Sequence, residues 1–384
     1  MTVPNVPTDV GTTDAGAPGW THTGYAQQIV FGAGSLRRLP EILRLIGIRR
    51  ALLVTTPGRA ASEDGRRLVA LIGRSLASTF AEVTPHVPAP LVQQAVLQAR
   101  RDAIDGIVSF GGGSCADLGK AVNWFAEQEQ GTPGATWTDR PVLPHVSVPT
   151  TYSGAELTPF FGMTDPSARQ KRGAGGPTSA PVAAIHDPEL TLGTPARVSA
   201  ETGLNALAHC VEIVWSPSRT PEAEAIGLAG AARIVAALPR VVDAPADLAA
   251  RTEMLEGAAL AGRCLQNGTM GVHHGLAQLV GGRTGIPHGL ANAIILPHAI
   301  RYNSPAVPEA VRRIGVAIGA PDDPANAVAE LVTRLGLPSR LSDAGVAEDD
   351  LDAVARLSQS NGSVAANPRP VSESEARELL AQAW

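Results

Sequence analysis

The chain has 384 residues, more than one hydrophobic core ordinarily organises and enough for two. Apolar residues make up 44% and charged residues 17%, the balance of a globular protein. A net charge of -5 leaves no overall basic surface to attract nucleic acid or anionic lipid, so neither is expected as a partner. Aromatic content is only 4%, so the core must be built from Ala, Val, Leu and Ile, as closely packed helices and parallel strands allow.

Cys115, Cys210 and Cys264 are widely spaced and form no CxxC pair, which points to reduced thiols and a cytoplasmic setting. No run of about 18 apolar residues occurs, so no membrane partner is expected. The start of the chain lacks the basic and apolar stretches of a secretory signal, and residues 1–24 read as a flexible polar tail.

In chain order, Ala51–Thr55 is an apolar run closed by Thr56, Pro57 and Gly58, a strand followed by a turn. Leu68–Ala77 has helical spacing. A second apolar run, Gly106–Phe110, enters Gly111, Gly112, Gly113 and Ser114 directly, and Ala116–Glu127 is again helical in pattern. His145–Pro149 and Val182–Ile185 are further short strands. Strands alternating with helices imply a parallel sheet covered on both faces. After Asp187–Leu190 strand-like runs largely vanish, and residues 198–303 and 309–336 carry helical periodicity. The expected organisation is a tail (1–24), an α/β domain (25–190) and an all-helical domain (191–384).

A strand that runs into three glycines, a serine and a helix suits phosphate. Gly111, Gly112 and Gly113 let the backbone approach oxygen atoms, and the helix N-terminus offers free N–H groups and the positive end of its dipole. Ser114 adds a hydroxyl donor or caps the helix. The same residues also suit a tight strand-to-helix turn with no ligand, and their spacing is not GxGxxG.

Continued to Lys120 the loop reads GGGSCADLGK, and GGGSxxDxxK resembles the pyrophosphate loop of iron-containing alcohol dehydrogenases and related dehydroquinate-synthase-like proteins. Pro149–Thr158 (PTTYSGAELT), Asp187–Thr191 (DPELT), Val30–Ser35 (VFGAGS) and Asn367–Pro370 (NPRP) resemble further family motifs, the last two most like those of maleylacetate reductases. The likeness runs from about residue 25 to residue 384. It implies a dehydroquinate-synthase-like fold, a Rossmann-like parallel sheet followed by an all-α domain, and a nicotinamide cofactor. By this resemblance Gly111–Ser114 hold the pyrophosphate, and Asp117 serves the loop's geometry or caps the helix. Thr150, Thr151, Ser153 and Thr158 line the cofactor, and Lys171 reaches toward its ribose. Thr55 and Thr56 close the first strand, with Pro57 next, where many NAD-specific relatives carry an acid. Threonine lacks the charge that repels a 2′-phosphate, so NAD is the default and NADP stays open.

In the helical half, His209 lies four residues after Asn205, so both point from one helix face. His274 lies four before Gln278, and His288 follows Pro287. Each histidine alone would be an ordinary satisfied side chain. The resemblance puts all three on the superfamily's metal-binding positions, and Asn205 where the family's aspartate ligand stands. Losing that carboxylate weakens binding of Fe²⁺ or Zn²⁺, so no required metal is expected. If one is bound, Asn205, His209, His274 and His288 would hold it. Gln278 replaces a usual histidine and cannot shuttle a proton. His273, His274 and Gly275 stand where maleylacetate reductases tend to have His-His-Lys, which removes a cation. His288, Gly289 and Leu290 look more like the alcohol dehydrogenase pattern.

The resemblance thus implies an NAD(P)H-dependent reductase that passes a hydride to an activated C=C or C=O of a small acidic substrate. His274 and His288 are the first candidates for proton donor, with His209 and Tyr152 as further donors and Asn205 and Gln278 beside them. Two alternatives stay open: a metal-dependent alcohol dehydrogenase, and a non-redox step such as elimination, decarboxylation or cyclisation, which the loss of histidine at 278 favours. Relatives are commonly dimers, so a homodimer is expected.

Overall fold

A computed structural model describes residues 20–132, 134–136, 139–165, 167 and 170–384, and of Gln170 and Lys171 the backbone alone. The chain divides into two compact units, one spanning Thr23–Thr194 and the other Pro195–Trp384 together with Trp20–His22. Most of the expected N-terminal tail lies outside the described residues. At its end, His22 reaches Thr220 Oγ1 (3.4 Å) and Glu222 (3.3 Å) of the second unit.

The first unit holds strands β1 (Gln28–Phe31), β2 (Ala51–Thr55), β3 (Leu76–Phe80), β4 (Gly106–Gly111), β5 (His145–Pro149), β6 (Phe160–Asp165), β7 (Gln170–Gly175) and β8 (Ala183–His186). Six of them form a parallel sheet in the order β1-β8-β5-β4-β2-β3, while β6 and β7 make an antiparallel hairpin. Strands β2, β4 and β5 are buried along their whole length, as near-continuous apolar runs in a doubly covered sheet should be. Helices α1 (Leu39–Ile46), α2 (Pro57–Ala61) and α3 (Glu63–Ile72) precede α4 (Ala89–Arg101) and α5 (Gly113–Glu129). Leu39, Ile42 and Leu68 pack with Val108 and Val146 in one core, and Val92, Leu118 and Val122 pack with Leu52 and Ile107 in another.

The helical spacing seen at 68–77 marks only the second half of α3. That helix starts at Glu63 behind Ser62, whose hydroxyl accepts from Gly65 N (3.0 Å), and it ends at Ile72. Residues 76–80 are instead the edge strand β3, half-exposed along most of its length and so without an apolar run.

The second unit is helical: α6 (Ala196–Trp215), α7 (Pro221–Asp243), α8 (Leu248–Cys264), α9 (Val272–Thr284), α10 (His288–Asn303), α11 (Pro308–Ala317), α12 (Pro324–Arg334), α13 (Glu348–Ser358), α14 (Gly362–Ala365) and α15 (Glu373–Ala383). Helix α6 is buried on every side from Gly203 to Trp215, which makes it the core element. Glycines let its neighbour α7 come close: a Cβ on Gly230 would lie 2.8 Å from Cys210 Sγ, and one on Gly203 2.6 Å from Leu238. By length and composition α7 could cross a bilayer, but it packs against α6 and α8, which accounts for its apolar character.

Candidate active site

The glycine loop is shaped by its neighbours. Gly111, with φ 146°, ends β4, and Gly113 opens α5. A Cβ on Gly111 would lie 2.5 Å from Cys115 Sγ, one on Gly112 3.2 Å from Thr151, and one on Gly113 3.0 Å from Ser153 Oγ. Strands β4 and β5 are parallel neighbours, and Thr150 N donates to Gly111 O (2.9 Å), so the glycine loop and the threonine loop lie side by side. No side chain caps α5; its N-cap is Gly112, and Ser114 is the second residue of the helix, not its cap. Buried beside the loop, Thr150 Oγ1 and Thr151 Oγ1 have no hydrogen-bond partner among the described residues. An uncapped helix start flanked by orphaned hydroxyls fits a dinucleotide phosphate.

Other expected cofactor residues are tied into the fold. Thr55 Oγ1 donates to Phe110 O (2.7 Å) and clamps β2 to β4, while Thr56 caps α2, which opens with Pro57, by accepting from Arg59 N (3.2 Å). Asp117 does not cap α5. Its carboxylate accepts from Lys120 Nζ (3.1 Å) and from Gly162 N (3.3 Å). Lys120, fully buried, also donates to Thr158 Oγ1 (3.0 Å) and Phe160 O (2.7 Å), so one lysine bridges the α5 motif to the threonine loop. Lys120 closes the GGGSxxDxxK motif, yet nothing local in the sequence marks it as this bridge. Tyr152 is fully buried in this first unit, within the threonine loop. Lys171 lies on β7, and its side chain is outside the described residues.

In the second unit the three histidines come together. Helix α6 carries Asn205 and His209, α9 carries His274, and His288 opens α10. The His209 and His274 rings stack at 4.7 Å and 23°, and His274 and His288 lie 6.0 Å apart. Asn205, His209 and His274 are buried and His288 is half-buried. Asn205 Oδ1 and His209 Nδ1 have no hydrogen-bond partner among the described residues. Burial, reinforced by His274, pushes the His209 pKa well below the usual histidine range and keeps that ring neutral. Gln278 sits half-buried one turn beyond His274.

Glu212 escaped the sequence reading, although it lies three residues after His209 on α6. Its Oε1 accepts from Gly271 N (3.0 Å) and His273 N (3.2 Å), and its Oε2 accepts from His274 N (3.2 Å) and His274 Nδ1 (2.5 Å). Burial opposes its ionisation, but hydrogen bonds from His273 and His274 prevail and hold it below the usual carboxylate range. Glu212, His273 and His274 are close enough together to hold a cation. Their atoms are already engaged, however, with His273 Nε2 donating to Asn292 O (2.9 Å). The set with orphaned atoms, Asn205 and His209 beside His274 and His288, fits a cation better; it offers only neutral donors.

The departures at 275 and 289 have steric causes. A Cβ on Gly275 would lie 2.4 Å from Val364 Cγ2 and 3.0 Å from Asn361 Oδ1, so α14 occupies the space a longer side chain would need. A Cβ on Gly289 would lie 2.6 Å from the main-chain oxygen of Glu201 on α6. Asn367, first residue of NPRP, exchanges amide hydrogen bonds with Asn303 (3.0 and 2.8 Å) and accepts from Val272 N (3.1 Å). Arg369 stacks on the Tyr302 ring at 3.9 Å. The motif therefore fastens the C-terminal segment to α9 and α10.

Comparison with known proteins agrees over both units. The iron-containing alcohol dehydrogenase family model matches residues 26–188, and the model of that family's C-terminal part matches residues 199–384. A maleylacetate reductase of Pseudomonas sp. (strain P51) is 36% identical over 363 residues, which cover 94% of this chain and 97% of that protein. The crystal structure of maleylacetate reductase from Agrobacterium tumefaciens superposes with a TM-score of 0.83 at 34% identity, covering 95% of this chain and 98% of that one. The corresponding enzyme from Rhizobium sp. strain MTP-10005 also gives 0.83 at 34% identity, covering 96% and 99%. With likeness this complete along both units, the chain belongs to the iron-containing alcohol dehydrogenase family, on its maleylacetate reductase branch, and is an NAD(P)-dependent oxidoreductase.

Proposed function

We propose that the chain is an NAD(P)H-dependent reductase of the maleylacetate reductase type that needs no metal. Its substrate is a small acidic molecule with a C=C or C=O conjugated to a carbonyl or carboxylate. The observation that carries this reading is the neutral donor set around His274: an amide at Asn205, with the nearby carboxylate of Glu212 consumed by hydrogen bonds. A Lewis acid held by uncharged donors alone is held less strongly than one that a carboxylate also binds, whereas hydrogen-bond donors need no such charge.

Reduced nicotinamide, when bound, supplies the hydride. The chain's own residues do the rest. The uncapped start of α5 and the orphaned hydroxyls of Thr150 and Thr151 hold the dinucleotide. As hydride adds to one carbon of the activated double bond, its π electrons move toward the conjugated oxygen. The imidazoles of His209, His274 and His288 supply donors for that developing enolate. The adjacent carbon then takes a proton. His274, with a carboxylate against its Nδ1–H, is placed to take up a second proton on Nε2, stabilised as imidazolium by Glu212, release it to that carbon, and recover one from solvent before the next turnover. We also propose a reducing, cytoplasmic setting, which the three free and buried cysteines support.

A second reading, a metal-dependent alcohol dehydrogenase, is favoured by the orphaned Asn205 Oδ1 and His209 Nδ1. A cation held there would polarise a carbonyl or alcohol oxygen. Purified, untagged protein mixed with NADH or NADPH and maleylacetate tests both. Consumption of reduced nicotinamide without bound metal supports the first; reduction of NAD⁺ by simple alcohols, with stoichiometric Fe or Zn, supports the second.

A further inference from the structure

We propose that Glu212 is the positioning residue of the histidine cluster: it fixes His274 with its proton on Nδ1 and leaves Nε2 as the working nitrogen. The use made of that nitrogen rests on the reductase reading above, but the orientation itself does not.

The start of α9 is held from two sides. Glu212, fully buried on α6, accepts the main-chain N–H groups of Gly271, His273 and His274, and Asn367 accepts that of Val272. Four consecutive donors at a helix N-terminus, where no intrahelical acceptor exists, are thereby satisfied by two side chains from distant segments. An anion at the positive end of the helix dipole is also favoured. Gly271 is glycine because both acceptors crowd it: a Cβ there would lie 2.7 Å from Asn367 Oδ1 and 3.0 Å from Glu212 Oε1.

The same carboxylate decides the tautomer. His273 Nε2 faces the main-chain oxygen of Asn292 at 2.9 Å and must donate to it, so its Nδ1 carries a lone pair in the neutral ring. His274 Nδ1 therefore faces two acceptors, Glu212 Oε2 at 2.5 Å and His273 Nδ1 at 3.2 Å. A bare Nδ1 would set lone pair against lone pair, so the proton sits on that nitrogen. Turning the ring would break a bond to the residue that also anchors the helix. A carboxylate behind an imidazole in this manner sets both its tautomer and its direction.

Neutron diffraction from deuterium-exchanged crystals of the wild-type protein reads the tautomer directly, whether or not maleylacetate is the substrate. A deuteron on His274 Nδ1, directed at Glu212, is expected. A bare Nδ1, or a deuteron on Glu212 itself, overturns the proposal. In parallel, Glu212→Gln puts an amide N–H₂ against one set of donors. With NADH and maleylacetate its kcat should fall about 10–100-fold, while NADH affinity, read by fluorescence, stays unchanged. A folded Glu212→Gln protein with wild-type kcat also overturns it. If that variant does not fold, the wild-type neutron map decides alone. If the wild type shows no maleylacetate turnover, the reductase reading fails and the map still tests the orientation.

Discussion

Replacing Gly275 by alanine sets two opposed effects against each other. Within a helix, alanine is favoured over glycine by about 0.5–1 kcal/mol, so propensity alone would stabilise the variant. Its Cβ, however, would sit 2.4 Å from Val364 Cγ2 and 3.0 Å from Asn361 Oδ1. Carbon atoms normally approach to about 3.5–4.0 Å, so Val364 must retreat by about 1 Å or more. It has little room to do so, being 3% exposed, with its own N–H and that of Ser363 held by Asn361 Oδ1 at 3.1 and 2.9 Å. Overpacking of this kind costs about 1–3 kcal/mol, which exceeds the helix gain over most of its range. For a unit of this size each kcal/mol moves Tm by about 2–4 °C, so Gly275→Ala should lower it, by up to about 10 °C. Circular dichroism melts of Gly275→Ala, Val364→Ala and the double variant measure this. The double variant should be more stable than the sum of the singles by about 0.5–3 kcal/mol. A raised Tm for Gly275→Ala, or strict additivity, would refute the view that α14 fills the space beside position 275.

Asn205→Asp restores a charge to the histidine cluster and should create a metal site. Zinc at a hundred times its Kd should then add about 2.7 kcal/mol, seen by calorimetry as a Tm higher by about 5–11 °C, with no such shift for wild type. Equal shifts in both proteins would contradict the charge argument. His274→Gln should bind NADH as wild type does and lose about 10²–10⁴ in kcat; undiminished turnover would remove His274 from the chemistry. Burial, aided by Lys120, lowers the His145 pKa to about 3. Between its unfolded value near 6.5 and about 3, the unfolded chain binds a proton that the folded chain refuses. Stability should therefore fall as pH drops through that window, by about 1.4 kcal/mol per unit from this residue. His145→Asn should flatten that acid limb in urea titrations; an unchanged slope would show that His145 is not its source.

The parts of the fold legible in the sequence were those governed by local pattern. Strands β2, β4 and β5 are continuous apolar runs because central parallel strands are buried on both faces, and the glycine loop follows β4 without a break. Strand β3 was hidden by its edge position, and the β6–β7 hairpin by Gly162, Gly173 and Gly175, which interrupt its alternation. Among site residues, the helical spacing put Asn205 and His209 on one face, and the structure adds His274 and His288 beside them. Glu212 and Asn367 could not be found that way. Their partners lie about sixty and ninety-five residues away, and only the packing of α6 and the C-terminal segment on α9 joins them. Of the two roles open to Asp117, capping α5 is not taken; it anchors a buried lysine, a contact set by the hairpin that local pattern does not reveal.

The most direct measurement is turnover by protein stripped of metal. Untagged enzyme is treated with chelator, its Fe and Zn content is measured, and NADH or NADPH consumption is followed with maleylacetate. Full activity at a metal content far below one ion per chain is the expected result. Activity that vanishes with the metal and returns on adding Fe²⁺ or Zn²⁺ would contradict the reading of Asn205, His209, His274 and His288 as a metal-independent site.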